Sequence, residues 1–347
     1  MQARAFITGV AATAILPEER AFLREAQPWG LILFKRNIDN QLQVASLVDA
    51  FRDAVGRGDA PVLVDQEGGR VQRMGPPAWP SYPPGAAYGR LYDRDAARGL
   101  ATARLGARLI ADDLCRVGIT VDCLPLADVP VAGADAVIGD RAYGDNPGKV
   151  AAIAAAVAAG LSEGGVLPVL KHIPGHGRAT LDSHQALPVV NADRATLESS
   201  DFAAFRPLAG LPMAMTAHVV FTAIDPVSPA TTSAMIVGDV IRGWIGFKGL
   251  LMSDDISMGA LSGSLRERAR AALAAGCDVA LHCNGKLQEM QDVAAESPLL
   301  AGEAARRAKA ALAARRPPEE IDLAAARAAF AAMMADVHPA GSRMAAS

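Results

Sequence analysis

The sequence predicts an α/β protein, a single (β/α)8 barrel of the TIM type with extra C-terminal helices. The chain has 347 residues, a length that such barrels reach as one domain. Eight short apolar segments alternate with helical stretches, and eight parallel strands are the number that closes this barrel. A doubly wound open sheet is the alternative. Its dinucleotide-binding version is disfavoured because no G-x-G-x-x-G follows the first strand.

The eight predicted strands are bounded by polar, glycine or proline residues, and most are rich in β-branched residues or leucine. They cover residues 6–10, 31–35, 62–65, 120–124, 167–171, 213–218, 249–253 and 278–283. The apolar stretch 5–16 is interpreted as the first strand and its connection, not as a secretory leader. Pro17-Glu-Glu-Arg, which follows at once, is typical of a helix N-terminus.

Helix start signals stand between the strands. Asn146-Pro147 predicts a helix to about residue 163, and Asn40 is predicted to cap one that runs to about residue 55. Asp93 is predicted to cap a helix to about residue 116. Ser264 is predicted to cap a helix over 265–275, which Gly276 ends.

The end of the chain is predicted to belong to the same domain. The alanine-rich stretch 301–335 is interpreted as terminal helices packed on the barrel. The catalytic domain is therefore expected to span residues 1–340, with 341–347 as a flexible tail.

Composition and charge exclude several classes of partner. The net charge is −3 with both signs interspersed, so nucleic acid is not an expected partner. No run reaches the roughly 18 apolar residues of a membrane span. The four cysteines lie in or beside apolar runs and form no close pair, which indicates buried free thiols in a reducing compartment. We therefore expect a cytoplasmic monomer acting on a small molecule.

Polar residues cluster at or just beyond the ends of the predicted strands. A charge at the end of a buried strand is costly unless it is paired or used, and the carboxyl ends of barrel strands share one face. Two segments that follow strands, 66–92 and 172–193, are predicted to be long loops on that face. The polar residues are Asp65, Glu67, Arg70, Arg73, Asp128, Arg141, Lys171, His172, His218, Asp254, Asp255, His282 and Asn284.

Asp182-Ser183-His184 is the candidate proton-transfer unit within the second loop. A carboxylate bonded to one imidazole nitrogen orients the ring and leaves the other nitrogen as general acid and base. A loop-stabilising hydrogen bond is the alternative. Asp254 and Asp255 are adjacent on an extended chain, so only one of them should face the barrel axis.

The histidines have other predicted roles. His172 and His176 either hold the tight Pro- and Gly-containing loop or contact a ligand, whereas His218 and His282 are interpreted as structural residues.

Three motifs resemble the signatures of glycoside hydrolase family 3. They are Lys171-His-Ile-Pro-Gly-His-Gly with Asp182-Ser-His184, Asp65-Gln-Glu-Gly-Gly-Arg-Val-Gln-Arg73 and Ser253-Asp-Asp-Ile-Ser-Met258. More narrowly they look like the single-domain bacterial β-N-acetylhexosaminidases of peptidoglycan recycling, and the resemblance extends from about residue 6 to 284. The family most often has Phe at Ile173 and Leu at Ile256, both apolar exchanges.

The resemblance implies a (β/α)8 barrel, a retaining double displacement, and no cofactor or metal. The implied substrate is a muropeptide fragment, a GlcNAc-1,6-anhydro-MurNAc peptide, from which terminal N-acetylglucosamine is removed. Asp254 matches the family nucleophile, His184 the acid/base residue and Asp182 its partner. The positions that match sugar-holding residues are Asp65, Arg73, Arg141, Lys171 and His172.

Four alternatives stay open from the sequence. A family 3 β-glucosidase generally has a second domain and lacks this histidine-containing loop. A β-N-acetylglucosaminide phosphorylase fits because a neutral imidazole repels phosphate less than a carboxylate does. A metal hydrolase would use His172, His176 and His184, but Pro174 and Gly175 break the helix that this spacing needs. A non-catalytic sugar-binding barrel would have lost the nucleophile or the acid/base residue, and both positions are occupied.

Overall fold

The computed structural model describes residues 3–183 and 186–335, and within them eight parallel strands form one closed barrel. Each strand pairs with the next along the chain, and Phe6 of the first lies opposite Ala280 of the last. That pairing excludes the open sheet. The strands are β1 (Arg4–Thr8), β2 (Pro28–Leu33), β3 (Val62–Val64), β4 (Val121–Asp122), β5 (Leu167–Ile173), β6 (Met213–Thr216), β7 (Leu250–Asp255) and β8 (Val279–His282).

Helices surround the barrel and continue past its last strand. In the described part of the chain they are α1 (Pro17–Ala26), α2 (Gln41–Val55), α3 (Gly85–Arg94), α4 (Ala96–Cys115), α5 (Pro147–Glu163), α6 (Arg194–Ser199), α7 (Leu265–Ala275), α8 (Leu287–Glu296), α9 (Gly302–Ala313) and α10 (Leu323–Met334). A nine-residue π-helix, Ile236–Trp244, connects β6 to β7. The predicted terminal helices over 301–335 are thus α9 and α10.

The core has two apolar layers because successive strand residues point to opposite sides of the sheet. Phe6 and Val64 pack outward against the helices, whereas Ile7 and Leu63 fill the barrel interior. The interior layer also includes Ala308 and Ala311 of α9, which is packed against β7. The opposite face, at the carboxyl ends of the strands, is where the loops that carry the polar residues meet.

Most predicted helix boundaries are confirmed. The side chains of Asn40, Asn146 and Ser264 each accept a hydrogen bond from the backbone N–H three residues on. Gly276 has a φ of 112°, a conformation that favours glycine, and it ends α7.

The prediction for Asp93 is wrong. The stretch holds two helices, not one, because the chain is extended at Asp95, with a φ of −156°. The Asp95 side chain caps α4 by accepting a hydrogen bond from the Arg98 N–H. Asp93 lies inside α3, where its carboxylate pairs with Lys149 at 2.6 Å.

The segment 66–92 is more ordered than predicted. It contains a short antiparallel hairpin, Gln66–Gly68 with Val71–Gln72, and nearly all of α3. The Gln66 side chain stabilises the hairpin because its oxygen accepts hydrogen bonds from the N–H groups of Arg73 and Met74. In segment 172–193, β5 extends to Ile173, and Val189–Val190 pairs with Val220–Phe221.

Three further expectations concern the chain as a whole. All four cysteines are free thiols; three are buried and Cys115 is half-buried. None of the helices in the described ranges is long and apolar enough to cross a membrane. The predicted tail, 341–347, lies outside the described residues, so the domain extent of 1–340 stays a prediction.

Candidate active site

A pocket of about 270 Å³ opens at the carboxyl ends of the barrel strands. Seven of the eight predicted site residues contribute to its lining: Asp65, Arg73, Arg141, Lys171, His172, Asp182 and Asp254. The eighth, His184, lies outside the described residues. Side chains from positions as far apart as 65 and 254 are therefore brought to one cavity. Their individual roles stay predictions.

A network of charges forms one wall of this pocket. Lys171 Nζ lies 2.9 Å from Asp65 Oδ1 and 2.7 Å from Glu67 Oε1. Asp65 Oδ2 accepts a hydrogen bond from Arg73 at 3.0 Å. Glu67 accepts two more from Arg141, at 2.8 and 2.9 Å, in a bidentate pair. The five charged groups thus hold one another in a continuous chain.

The charges of this network set the protonation states of its members. Burial favours the neutral form of the Asp65 carboxyl, but Lys171 and Arg73 hold its pKa well below the usual range. Burial likewise opposes ionisation of Lys171, and the two carboxylates raise its pKa nonetheless. The ammonium group donates a hydrogen bond to Asp65, contacts Glu67 and lines the pocket, where its remaining donor capacity is available to a ligand hydroxyl.

Glu67 is a site residue that the sequence reasoning placed among the strand-end charges but did not assign a role. Its carboxylate is 4% exposed and contacts both Lys171 and Arg141. The backbone of Arg141 packs closely against Gly85. A Cβ on Gly85 would lie 2.1 Å from the Arg141 carbonyl oxygen. The sequence signal for a role of Glu67 was its position two residues after Asp65 within one motif.

A second group of polar side chains centres on the fully buried Asp128. His172 Nδ1 donates to Asp128 Oδ2 at 2.7 Å, and the His176 backbone N–H donates to Oδ1 at 2.7 Å. Burial raises the pKa of this carboxyl, and the two histidines and the backbone hydrogen bond outweigh it, so the net pKa is lowered. Asp128 therefore orients His172 and leaves the Nε2 atom of that ring for a ligand.

His176 connects this group to the loop that carries Asp182. Burial, with His172 nearby, lowers the pKa of His176 to about 4, so the ring is neutral. Its Nε2 lies 3.0 Å from the hydroxyl of Ser183, whose carbonyl accepts a hydrogen bond from the Ala260 N–H. His176 thus holds the loop, as one of its two predicted roles required, and it also lines the pocket. His172 both lines the pocket and is bonded to Asp128.

Asp254 and Asp255 both contribute to the lining of the pocket, although only one of them was expected to face the barrel axis, and their surroundings differ. The Asp255 carboxylate accepts hydrogen bonds from the N–H and hydroxyl of Ser257 and from the Cys283 N–H. Asp254 Oδ1 accepts one from the Asp255 N–H at 2.7 Å. Burial favours neutral Asp254, but the imidazoles of His218 and His172 and that N–H lower its pKa. Asp254 is therefore an ionised carboxylate at the pocket.

Apolar side chains also line the pocket. Phe34, Met215, Met258 and Leu281 contribute to it, and the centre of the Phe34 ring lies 5.1 Å from the guanidinium carbon of Arg73. A lining with both charged and apolar groups suits a ligand with both a polar edge and a hydrophobic face, as sugars have. Among residues 3–183 and 186–335, no group of three or more His, Cys, Asp or Glu side chains is arranged to hold a metal ion.

The family model described as "Glycosyl hydrolase family 3 N terminal domain" matches residues 7–310. The chain belongs to glycoside hydrolase family 3. The matched range includes the end of β1, the other seven barrel strands and every predicted site residue. The protein is accordingly a glycoside hydrolase of this family.

Curated relatives share much of the sequence. A β-hexosaminidase of Alkalilimnicola ehrlichii is 41% identical over 280 residues, which cover 80% of this chain and 79% of the relative. A β-hexosaminidase of Aromatoleum aromaticum is 37% identical, with coverages of 79% and 78%.

Solved structures agree with the fold along nearly the whole chain. NagZ from Neisseria gonorrhoeae, in complex with N-trifluoroacetyl-D-glucosamine, has a TM-score of 0.83 and 31% identity over 97% of this chain and 98% of that one. A family 3 β-N-acetylglucosaminidase from a Paenibacillus species has a TM-score of 0.77 and 27% identity. The alignment covers 99% of this chain and 64% of the Paenibacillus chain.

Proposed function

We propose that this protein is a retaining β-N-acetylglucosaminidase. Its substrates are peptidoglycan fragments, GlcNAc-1,6-anhydro-MurNAc peptides, from which it removes the terminal non-reducing N-acetylglucosamine. It works as a monomer in the cytoplasm, in line with its free thiols. The observation that carries the proposal is an ionised Asp254 at a pocket that is also lined by members of a preorganised chain of five charged groups.

Asp254 acts as the nucleophile in the first step. Its low pKa keeps the carboxylate ionised, and Oδ2 attacks the anomeric carbon while Oδ1 keeps its hydrogen bond from the Asp255 N–H. The bond between the anomeric carbon and the glycosidic oxygen breaks as His184 protonates that oxygen. A covalent glycosyl-enzyme and a free aglycone result.

Water completes the reaction in the second step. The imidazole of His184, now neutral, takes a proton from water, which attacks the anomeric carbon and displaces Asp254. N-acetylglucosamine leaves with its original anomeric configuration, and both side chains return to their starting states. Asp182 orients the His184 ring and stabilises its protonated form.

The charged wall holds the sugar. Asp65 accepts hydrogen bonds from ring hydroxyls because each of its oxygens has acceptor capacity beyond Lys171 and Arg73. Lys171 and Arg141 donate to the hydroxyls, and His172 contacts an adjacent hydroxyl through Nε2. A volume of about 270 Å³ lies just under the roughly 300–1,000 Å³ of drug-sized ligand sites, a size that fits one sugar unit.

A fluorinated N-acetylglucosaminyl fluoride tests the nucleophile. The wild-type enzyme should form a slowly hydrolysed adduct on the peptide that contains Asp254, and Asp254→Ala should form none. NMR should detect the β-anomer as the first product. An adduct on another residue, or the α-anomer as first product, would contradict the proposal.

The substrate is tested with a matched set of glycosides. We expect release of N-acetylglucosamine from an anhydro-muropeptide and from its p-nitrophenyl β-glycoside, with little release of glucose from the matched glucoside. Preference for the glucoside would indicate a β-glucosidase. A sugar 1-phosphate that forms only with added phosphate would indicate a phosphorylase, and binding without turnover would indicate a non-catalytic barrel.

A further inference from the structure

Three polar side chains lie behind Asp254, outside the lining of the pocket. They are Thr216 at the end of β6, His218 two residues later, and Thr231 in the following loop, and none has any exposed surface. Buried hydroxyl and imidazole groups cost free energy unless they are hydrogen-bonded. Each of these three is bonded to the next, which makes them a single unit.

His218 connects the Asp255 backbone to Thr231. Its Nε2 lies 3.0 Å from the carbonyl oxygen of Asp255, which can only accept, so Nε2 carries a proton. Its Nδ1 lies 2.7 Å from the hydroxyl oxygen of Thr231. The Thr231 hydroxyl also lies 3.1 Å from the Ala217 carbonyl oxygen, so the backbone just after β6 and the His218 ring both hold it.

The contacts continue from Thr231 towards Asp254. Thr231 Oγ1 lies 2.8 Å from the hydroxyl oxygen of Thr216. Thr216 Oγ1 in turn accepts a hydrogen bond from the backbone N–H of Asp254 at 3.3 Å. The order of contacts is therefore Asp254 N–H, Thr216 Oγ1, Thr231 Oγ1, the His218 ring and the Asp255 carbonyl oxygen.

This chain of hydrogen bonds begins and ends on the backbone that carries the nucleophile. It holds the N–H of Asp254 and the C=O of Asp255, the outer groups of two consecutive residues. The remaining N–H between them, that of Asp255, is bonded to Asp254 Oδ1. Hydrogen bonds therefore hold the backbone on both sides of the carboxylate.

We propose that Thr216, Thr231 and His218 are positioning residues that set the attack geometry of Asp254 from behind. The inference rests on the proposed function, since it takes Asp254 as the nucleophile. These residues act through the backbone and do not touch the substrate. A displacement of the reacting atoms by about 1 Å can cost about a hundredfold in rate, whereas sugar binding depends on other side chains.

Thr231→Val removes the hydroxyl and nearly preserves the shape of the side chain, and Thr231→Ser, its matched control, keeps the hydroxyl. For Thr231→Val we expect kcat on the p-nitrophenyl N-acetylglucosaminide to fall about ten- to hundredfold, with KM changed by less than about threefold. Thr231→Ser should stay within about threefold of wild type. Thr216→Val interrupts the chain one position nearer to Asp254 and should reproduce the loss of kcat.

The rate of adduct formation separates positioning from folding. Thr231→Val should label Asp254 about ten- to hundredfold more slowly than wild type, while its affinity for free N-acetylglucosamine stays unchanged. Wild-type kcat and labelling rate in both valine variants, or a serine variant as slow as the valine one, would overturn the inference. Failure of the proposed function has a different signature: the adduct would form on another residue in the wild-type enzyme.

Discussion

Replacing Glu67 with glutamine removes the charge that two buried cations share. Lys171 is 2% exposed and Arg141 10% exposed, and both contact the Glu67 carboxylate at 2.7–2.9 Å. Removing one partner of a buried ion pair costs about 3–5 kcal/mol because the other charge stays buried without compensation. In this variant Arg141 loses its carboxylate partner, whereas Lys171 keeps its contact with Asp65. We therefore expect Glu67→Gln to lower the free energy of unfolding by about 3–5 kcal/mol at pH 7.

The effect depends on pH with a definite sign. Burial raises the pKa of Glu67, but Lys171 and Arg141 outweigh burial and hold that pKa below its usual range. Its stabilising contribution is thus complete above the unfolded-state pKa of about 4.3 and is lost as the pH falls through the lower folded-state value. The difference between wild type and variant should be largest at pH 7 and shrink below about pH 4.

Urea denaturation at pH 7 and at pH 3 measures this difference, and Glu303→Gln is the matched control. Glu303 makes the same type of pair with Arg306 on the surface, where both side chains are about 60% exposed. Such pairs contribute about 0–1 kcal/mol. A Glu67→Gln variant as stable as Glu303→Gln at pH 7 would refute the reasoning, as would a difference that does not change with pH.

Three further predictions concern single side chains. His176 has a folded-state pKa of about 4 against about 6.5 unfolded, so it costs stability as the pH falls across that interval. His176→Asn should reduce the loss of unfolding free energy between pH 7 and pH 4 by about 3 kcal/mol; an unchanged loss in urea titrations would contradict this. Asp182→Asn should shift the alkaline limb of the kcat/KM profile to lower pH by about one unit, because a carboxylate raises the pKa of an adjacent imidazole. An alkaline limb that does not move would exclude the pairing of Asp182 with His184. Lys171→Met should raise KM about ten- to hundredfold, because the sugar loses a charge-assisted hydrogen bond. Lys248 is exposed, and Lys248→Met should leave KM unchanged. Equal KM values in the two variants would argue against sugar contact by Lys171.

Much of the barrel could be predicted because its signals are local. Each of the eight strands is a short apolar run, and the caps at Asn40, Asn146 and Ser264 need only a side chain that reaches the backbone three residues away. The wrong prediction at Asp93 also comes from relying on local signals. Two acidic residues lie within three positions, and only the packing of α3 against α4 decides that the chain turns at Asp95.

Many residues of the candidate site could be predicted from the sequence, but the contacts between them could not. Charged residues at strand ends stand out because burial of an unused charge is unfavourable. Nothing local indicates that Glu67 joins Lys171 to Arg141, because those residues are 104 and 74 positions away. Asp128 was noted at a strand end, yet its contact with His172 also depends on the fold.

The sequence by itself determined the barrel class, the family and the seven described candidate residues that line the pocket. Periodicity, caps and motifs carry that information because they depend on neighbours along the chain. Tertiary structure alone decided which carboxylates share which cations, and that His218 faces the Asp255 carbonyl while Thr231 faces His218. Such pairings and their effects on pKa require groups from different strands within about 3 Å of each other, and only closure of the barrel brings them that close.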